Sequence, residues 1–140
     1  MCRELVAGVL QVDPSTLTRH PEKVSVKPPG SPAFKAHLDL GRVGGVQCVI
    51  ALSQGSFLVW PRSHKAGMAD RLRNLGKKGF HALTKKELDA LPEESATVPA
   101  NIGDVLLMQG GTLVHGSPKV PDDGPVRVVA YANFDPVEEA

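Results

Sequence analysis

The residues with the clearest potential for chemistry lie in the apolar segment 34–40, where His37 and Asp39 stand two positions apart. In an extended strand successive side chains point to opposite faces, so residues i and i+2 share a face. An imidazole nitrogen and a carboxylate oxygen on one face suit a divalent first-row metal ion. The segment therefore predicts a strand that presents two metal ligands.

A third ligand has to come from a distant part of the chain, and His115 is the candidate. Two histidines and one carboxylate form the facial triad typical of non-haem iron(II) sites, which leaves coordination positions open for reactants. Bonds of about 2 Å to a shared ion require the two imidazoles to approach within about 5 Å at their nearest nitrogens. Two other interpretations stay open: His37 and Asp39 facing solvent on a surface strand, and His115 as a hydrogen-bonded core histidine.

The composition indicates the class of fold that must position these residues. A chain of 140 residues has the size of one domain, and we expect a single domain over 1–140 that buries a core without disulfides. Fourteen glycines, twelve prolines and an aromatic share of 4% favour short strands and turns over long helices. We therefore expect a mainly β fold.

Charge and cysteine content bound the partners and the compartment. Sixteen Lys and Arg against fifteen Asp and Glu argue against a general polyanion binder, so no nucleic-acid partner is expected. No segment has the length and apolar character of a membrane span or of a signal peptide. Two cysteines, Cys2 and Cys48, make no disulfide framework. These features predict a cytoplasmic protein that does not bind membranes.

Local patterns predict about eight short strands with one helical interruption. An amphipathic helix is expected over 3–12, within an N-terminal region that ends at residue 22. Residues 62–97 carry helical signals, and we expect this insertion to border the mouth of the site as a lid. The strands are predicted at 23–27, 34–40, 46–52, 57–60, 97–99, 105–108, 112–115 and 126–134, with 46–52 and 57–60 paired as a hairpin. This order suits a double-sheet jelly roll of the cupin kind.

Several motifs occur together in a recognisable order along residues 23–134. They are His37-x-Asp39, the segment 55–65 (GSFLVWPRSHK), the segment 103–108 (GDVLLM), His115-Gly116-Ser117 and Arg127. In this order the chain resembles the phytanoyl-CoA dioxygenase-like group of Fe(II)/2-oxoglutarate-dependent oxygenases.

The resemblance implies a double-stranded β-helix in which His37, Asp39 and His115 hold Fe(II). It implies that Arg127 meets the distal carboxylate of 2-oxoglutarate, for which a guanidinium offers a planar, permanently charged fork. Ser117 would place a hydroxyl near the same cosubstrate. The implied activity consumes O2, hydroxylates a small-molecule or acyl substrate, and releases succinate and CO2.

Single residues separate related subfamilies. Related halogenases have a small residue where Asp39 stands, so hydroxylation is favoured. Oxygenases that repair alkylated bases carry a second arginine where this chain has Asn133, which argues against a role in nucleic-acid repair. Gln47 and Lys27 are strand residues that could face the barrel interior, although a solvent-facing Lys27 is favoured.

Two other functional classes remain open. One is a cupin-like metal-binding or scaffold protein without oxygenase turnover. The other is a Zn or Mn isomerase or hydrolase on the same barrel, in which Arg127 would lack an obvious purpose. A homodimer that pairs exposed strand edges is a further expectation.

Overall fold

The computed structural model describes residues 2–41 and 44–137, so Arg42 and Val43 and both extreme ends lie outside the described residues. The described helices are α1 (Cys2–Leu10), α2 (Met68–Asn74) and α3 (Lys85–Asp89), with 3-10 turns at Pro14–Thr16 and Ser63–Ala66. The strands are β1 (Leu17–Arg19), β2 (Lys23–Lys27), β3 (Phe34–Asp39), β4 (Val46–Ala51), β5 (Gly55–Val59), β6 (Phe80–Ala82), β7 (Ala96–Ala100), β8 (Val105–Met108), β9 (His115–Ser117) and β10 (Arg127–Pro136).

The strands form two five-stranded antiparallel sheets. In the first sheet, β10 pairs with β1 and β2 along one side and with β4 along the other, and β8 follows β4. The second sheet has the order β6-β3-β9-β5-β7. The predicted mainly β, double-sheet fold with a short N-terminal helix and a helix-containing insertion is therefore confirmed.

Apolar clusters lie between the sheets and on the outer face of each. The cluster between them includes Val49, Phe57 and Val129. Helix α1 packs on the outer face of the first sheet, where Phe134 is buried. Helix α2 packs on the outer face of the second sheet against Leu38, which is fully buried and points away from the neighbouring side chain of His37.

Two strand predictions are wrong. The expected hairpin of 46–52 with 57–60 does not form, because β4 pairs with β10 and β8 in the first sheet while β5 pairs with β7 and β9 in the second. The expected strand at 112–115 begins only at His115, since the amides of Thr112 and Leu113 both donate to the carbonyl of Gln109 and extend the turn.

Strand β2 has the predicted alternation with the opposite face inward. Val24 and Val26 are 64% and 61% exposed, whereas Lys23, Ser25 and Lys27 line the cavity between the sheets. The solvent-facing position favoured for Lys27 is therefore wrong. The reason is that the interior at this strand is a polar cavity, which accepts the lysine ammonium better than an apolar core would.

The remaining expectations concern the cysteines and the membrane. Cys2 and Cys48 are free thiols, and burial raises the pKa of Cys48 to about 12. Among the described helices, none combines the length and the apolar character that crossing a bilayer requires.

Candidate metal centre and adjoining cavity

Strands β3 and β9 bring the three predicted ligands together. The antiparallel register places His37 opposite His115, and their ring centroids are 4.1 Å apart. Asp39, two residues beyond His37, points to the same face; its Oδ1 lies 4.0 Å from Nε2 of His37 and its Oδ2 lies 3.5 Å from Nε2 of His115. One donor atom from each of the three residues lies within 4.8 Å of the other two.

The backbone selects which nitrogen of each histidine faces the cluster. Nδ1 of His37 lies 2.9 Å from the carbonyl of Lys35, and Nδ1 of His115 lies 2.9 Å from the carbonyl of Leu113. A carbonyl only accepts hydrogen bonds, so each Nδ1 carries the proton and each Nε2 keeps its lone pair. Burial, and next the nearby His115, lower the pKa of His37 and favour its neutral, ligating form.

Gly110 allows the turn after β8 to approach this cluster. Its carbonyl accepts the N–H of Asp39 at 2.9 Å. A Cβ at this position would lie 2.9 Å from Oδ2 of Asp39 and 3.1 Å from Cε1 of His115. Any larger residue would therefore displace one of the two side chains.

This donor set fits a divalent ion such as Fe(II). It contains two neutral imidazole nitrogens and one carboxylate oxygen, the combination found at facial non-haem iron sites. Bonds of about 2.0–2.2 Å to one ion place donor atoms within about 4.4 Å of each other. Small side-chain rotations would bring the three donor atoms, which lie within 4.8 Å of one another, to those separations. His37, Asp39 and His115 would hold the ion.

A cavity of about 330 Å³ opens from the cluster into the space between the sheets. Its walls include all three candidate ligands together with Ser117 and Arg127. The structure thus brings all five residues proposed from the sequence to one cavity.

Lys27 lines the cavity, although the sequence favoured a solvent-facing position for it. It is the direct cross-strand partner of Arg127, and its Nζ donates to Oγ of Ser117 at 3.0 Å. The alternation of segment 23–27 allows either face to point inward, and only the pairing with Arg127 distinguishes them. No local sequence signal identifies that pairing.

The Lys27–Arg127 pair concentrates positive charge on one wall of the cavity, where Arg127 is buried and Lys27 is half-buried. Arg127 is 6% exposed, and its guanidinium lies 4.7 Å from the ring centroid of Phe57. Burial lowers the pKa of Arg127; burial and then Arg127 lower the pKa of Lys27. Because like charges on directly opposite residues destabilise a sheet, the pair is suited to an anionic ligand.

Other polar groups complete the first-sheet wall of the cavity. Nε2 of Gln47 donates to Oδ1 of Asn133 at 3.2 Å, and both residues line the cavity. Burial raises the pKa of Tyr131 on the same wall. These groups remain neutral and offer hydrogen bonds without adding charge.

The insertion reaches the cavity through one side chain, Phe80. Its ring centroid lies 4.7 Å from that of His37, and the residue is 55% exposed. Phe80 belongs to β6, which the sequence did not predict and which pairs with β3 opposite Asp39. The helices of the insertion pack on the far face of the second sheet, so its lid role stays a prediction.

Comparison with known proteins identifies the fold. No family model and no curated protein sequence matches the chain. Similar crystal structures include AviO1 from Streptomyces viridochromogenes Tue57, with 18% identity and a TM-score of 0.69 over 99% of this chain and 58% of that chain. HygX from Streptomyces hygroscopicus with iron bound has 21% identity and a TM-score of 0.66 over 96% of this chain and 64% of that chain.

Two of these similar proteins were crystallised with 2-oxoglutarate. HygX with nickel, 2-oxoglutarate and hygromycin B has 19% identity and a TM-score of 0.67 over 96% of this chain and 62% of that chain. EvdO2 from Micromonospora carbonacea var. aurantiaca with 2-oxoglutarate has 15% identity and a TM-score of 0.66 over 99% of this chain and 60% of that chain. The cupin-like fold is thereby confirmed, and this chain spans between 58% and 64% of the length of AviO1, HygX and EvdO2 in these structures.

Proposed function

We propose that this chain catalyses Fe(II)/2-oxoglutarate-dependent hydroxylation of a small-molecule or acyl substrate, with consumption of O2 and release of succinate and CO2. The observation that carries the proposal is that a single cavity contains both the His37–Asp39–His115 cluster and the Lys27–Arg127 pair. A metal-binding group and a dicarboxylate-binding group are the two parts that this reaction requires from the protein.

His37, Asp39 and His115 would hold a divalent cation at the wall of the cavity, where a cosubstrate can reach it. Each imidazole is oriented by a backbone carbonyl, so His37 and His115 present a lone pair without a rearrangement of the ring. Asp39 supplies the negative charge that favours a divalent ion. When bound, iron together with 2-oxoglutarate and O2 supplies the oxidation of a substrate C–H bond.

Arg127 would bind the distal carboxylate of 2-oxoglutarate. Its guanidinium is packed against Phe57. The backbone of Gly55 also lies close to it, since a Cβ added at Gly55 would be 3.4 Å from Nε of Arg127. A fixed planar donor can make two parallel hydrogen bonds to one carboxylate. Lys27 adds a second positive charge, and Ser117 a hydroxyl, to the same subsite.

Aromatic and sulfur-containing side chains would keep bulk water from the reacting groups. Phe34, Phe57, Phe80 and Met108 line the same cavity as the ligands. These apolar side chains lower the local dielectric beside the polar part of the wall, which strengthens the electrostatic attraction between Arg127 and a carboxylate.

The finer assignment follows the resemblance to the phytanoyl-CoA dioxygenase-like group. Asp39 occupies the position that halogenases leave to a small residue, which supports hydroxylation. HygX, which has the same fold, was crystallised with hygromycin B, and this supports a small molecule as substrate. A cytoplasmic location and a homodimer remain predictions.

The second candidate function is a cupin-like metal-binding or scaffold protein without turnover. The observation that keeps it is the length of the match, since the chain spans only 58% of AviO1 and 62% of HygX with its ligands.

The deciding experiment measures succinate formed from 2-oxoglutarate by the Fe(II)-loaded protein, with and without a metabolite extract. We expect succinate from the wild type and none from Asp39→Ala, with Asp123→Ala, a change at an exposed carboxylate, as the matched control. A visible charge-transfer band on anaerobic addition of Fe(II) and 2-oxoglutarate reports chelation separately. Chelation without succinate under any condition would favour the scaffold, and succinate from Asp39→Ala would contradict the metal centre.

A further inference from the structure

Arg73, in α2 of the insertion, lies outside the cavity and contacts both chain segments that flank the metal cluster. Its Nε donates to the carbonyl of Leu40 at 3.0 Å, and its Nη2 donates to the carbonyl of Gly111 at 2.8 Å. Leu40 directly follows the candidate ligand Asp39, and Gly111 belongs to the turn that precedes His115. We infer that Arg73 is a positioning residue that holds these segments in the geometry required for metal binding.

The two segments are also joined to each other on the cavity side. The N–H of Asp39 donates to the carbonyl of Gly110 at 2.9 Å. The Arg73 guanidinium therefore completes a loop of hydrogen bonds, in which Asp39 and Gly110 lie on one side and Leu40 and Gly111 on the other. A shift of either segment would change the 3.5 Å separation of Oδ2 of Asp39 from Nε2 of His115.

An arginine suits this position because it must reach two carbonyls at once. The guanidinium is planar and rigid, so its donors hold a fixed spacing that a lysine ammonium cannot reproduce. The Arg73 side chain is 19% exposed and also pairs with Asp70 through Nη1, at 3.2 Å. Its helix is anchored by Met68 and Leu72, which are buried in the cluster on the outer face of the second sheet.

Ser63, at the start of the insertion, makes a second connection of the same kind. Its Oγ accepts the N–H of Val114 at 2.9 Å, and the residue is 1% exposed. Val114 directly precedes His115. The insertion thus contacts the backbone next to both Asp39 and His115, which gives it a role that does not depend on closing over the cavity.

The test compares metal affinity in three variants by calorimetric titration with Ni(II) alone. Because outer groups that orient ligands are worth 10- to 100-fold in affinity, we expect Arg73→Gln to weaken Ni(II) binding by about tenfold or more. The Ni(II) affinity of Arg73→Lys should lie between those of the wild type and Arg73→Gln, since one ammonium replaces only part of the planar guanidinium fork. Arg71→Gln, a change on the exposed face of the same helix, should leave the affinity unchanged.

A second measurement needs no metal. Hydrogen exchange of the Asp39 amide in the metal-free protein reports the Asp39–Gly110 hydrogen bond directly, and it should accelerate in Arg73→Gln and not in Arg71→Gln. Both measurements are made below the unfolding transition of each variant; if Arg73→Gln does not fold, Arg73→Lys carries the test.

The positioning role of Arg73 rests on the proposed function only in that the positioned residues are taken to bind a metal ion. The two proposals can therefore fail separately. Equal Ni(II) affinity and equal Asp39 exchange in the Arg73 and Arg71 variants would overturn the positioning role. Equal Ni(II) binding by the wild type and Asp39→Ala would instead overturn the metal centre, while the amide exchange would still decide whether Arg73 holds the two segments.

Discussion

Two cross-strand pairs of similar chemistry face the same cavity from opposite sheets. In the second sheet His37 lies opposite His115, and in the first sheet Lys27 lies opposite Arg127. Each pair places two groups together that repel when both are charged. The histidines avoid this repulsion in their neutral form, whereas a buried guanidinium keeps its charge.

The difference between the pairs indicates what each one needs. The histidine pair, with Asp39 beside it, presents three donor atoms of the types that bind a divalent cation. The Lys27–Arg127 pair has lowered pKa values because of burial, and for Lys27 also because of its partner. An anion bound beside the two side chains would stabilise this pair. One cavity therefore places a cation-binding donor set opposite a pair of positive charges, an arrangement that a metal ion and a dicarboxylate would satisfy together.

The largest expected effect comes from removing a member of the histidine pair. His115→Ala deletes one of three ligands, so metal affinity should fall by more than about 100-fold, beyond the effect of outer groups. Titration with Ni(II) or Fe(II) measures this loss. His64→Ala, at an exposed histidine, is the control. Undiminished binding by His115→Ala would show that the histidine pair is not the metal site.

Removing the arginine of the Lys27–Arg127 pair should weaken binding of 2-oxoglutarate without weakening binding of the metal ion. Arg127→Met keeps a side chain of similar length and deletes a charged, two-pronged donor, a loss of roughly 1.5–3 kcal/mol or about 10- to 150-fold in 2-oxoglutarate affinity. Metal affinity should stay within about twofold of the wild type. Titration of the metal-loaded protein with 2-oxoglutarate tests this, and unchanged affinity would move the carboxylate subsite elsewhere.

Lys27→Met should act in opposite directions on stability and binding. It removes a like-charge neighbour of Arg127, so we expect the ligand-free protein to gain about 0.5 kcal/mol in free energy of unfolding. It should also weaken 2-oxoglutarate binding by roughly three- to tenfold, as expected for loss of a charged contact that is partly accessible to water. Denaturant unfolding and calorimetry measure the two effects.

The stability part has a defined pH dependence. Lys27 has a folded-state pKa below its ordinary value of 10.5, so burial of its charged form opposes folding. Wild-type stability therefore rises with pH between the folded-state and the unfolded-state pKa. The advantage of Lys27→Met is therefore largest below the lowered pKa and disappears above about 10.5. An advantage that grows with pH would contradict this account.

The smallest effect is expected for Ser117→Ala. The hydroxyl accepts a hydrogen bond from Lys27 at 3.0 Å and is buried, so its loss removes one oriented contact but no charge. We expect two- to fivefold weaker 2-oxoglutarate binding, from about 0.5–1 kcal/mol, and no change in metal affinity. In Lys27→Met the same change should have less effect, which a double-mutant cycle measures.

Strands β2 and β3 show how far sequence patterns reach. Both alternate with period two, and both were predicted as strands. In β3 the ligands themselves identify the cavity face, because His37 and Asp39 share it. In β2 the usual rule that valines point inward selects the wrong face, since Val24 and Val26 are exposed and Lys27 is inside. The rule fails where the interior is a charged cavity and not an apolar core.

The predicted hairpin failed for a related reason. A short turn between two strands normally pairs them, but here the chain passes at residues 52–54 from the first sheet to the second. Local turn chemistry does not report which sheet a strand joins. The unpredicted strand β6 likewise exists because the free edge of β3 is available to pair with Phe80–Ala82.

By itself, the sequence determined the strand period and the types and order of the candidate ligands, because these depend on residue chemistry and on spacing along the chain. The tertiary structure alone decided that Lys27 faces Arg127, that β4 and β5 separate, and that Arg73 reaches Leu40 and Gly111. Those contacts join residues far apart in the chain. They are selected by sheet register and by the packing of whole elements, for which no single segment carries a signal.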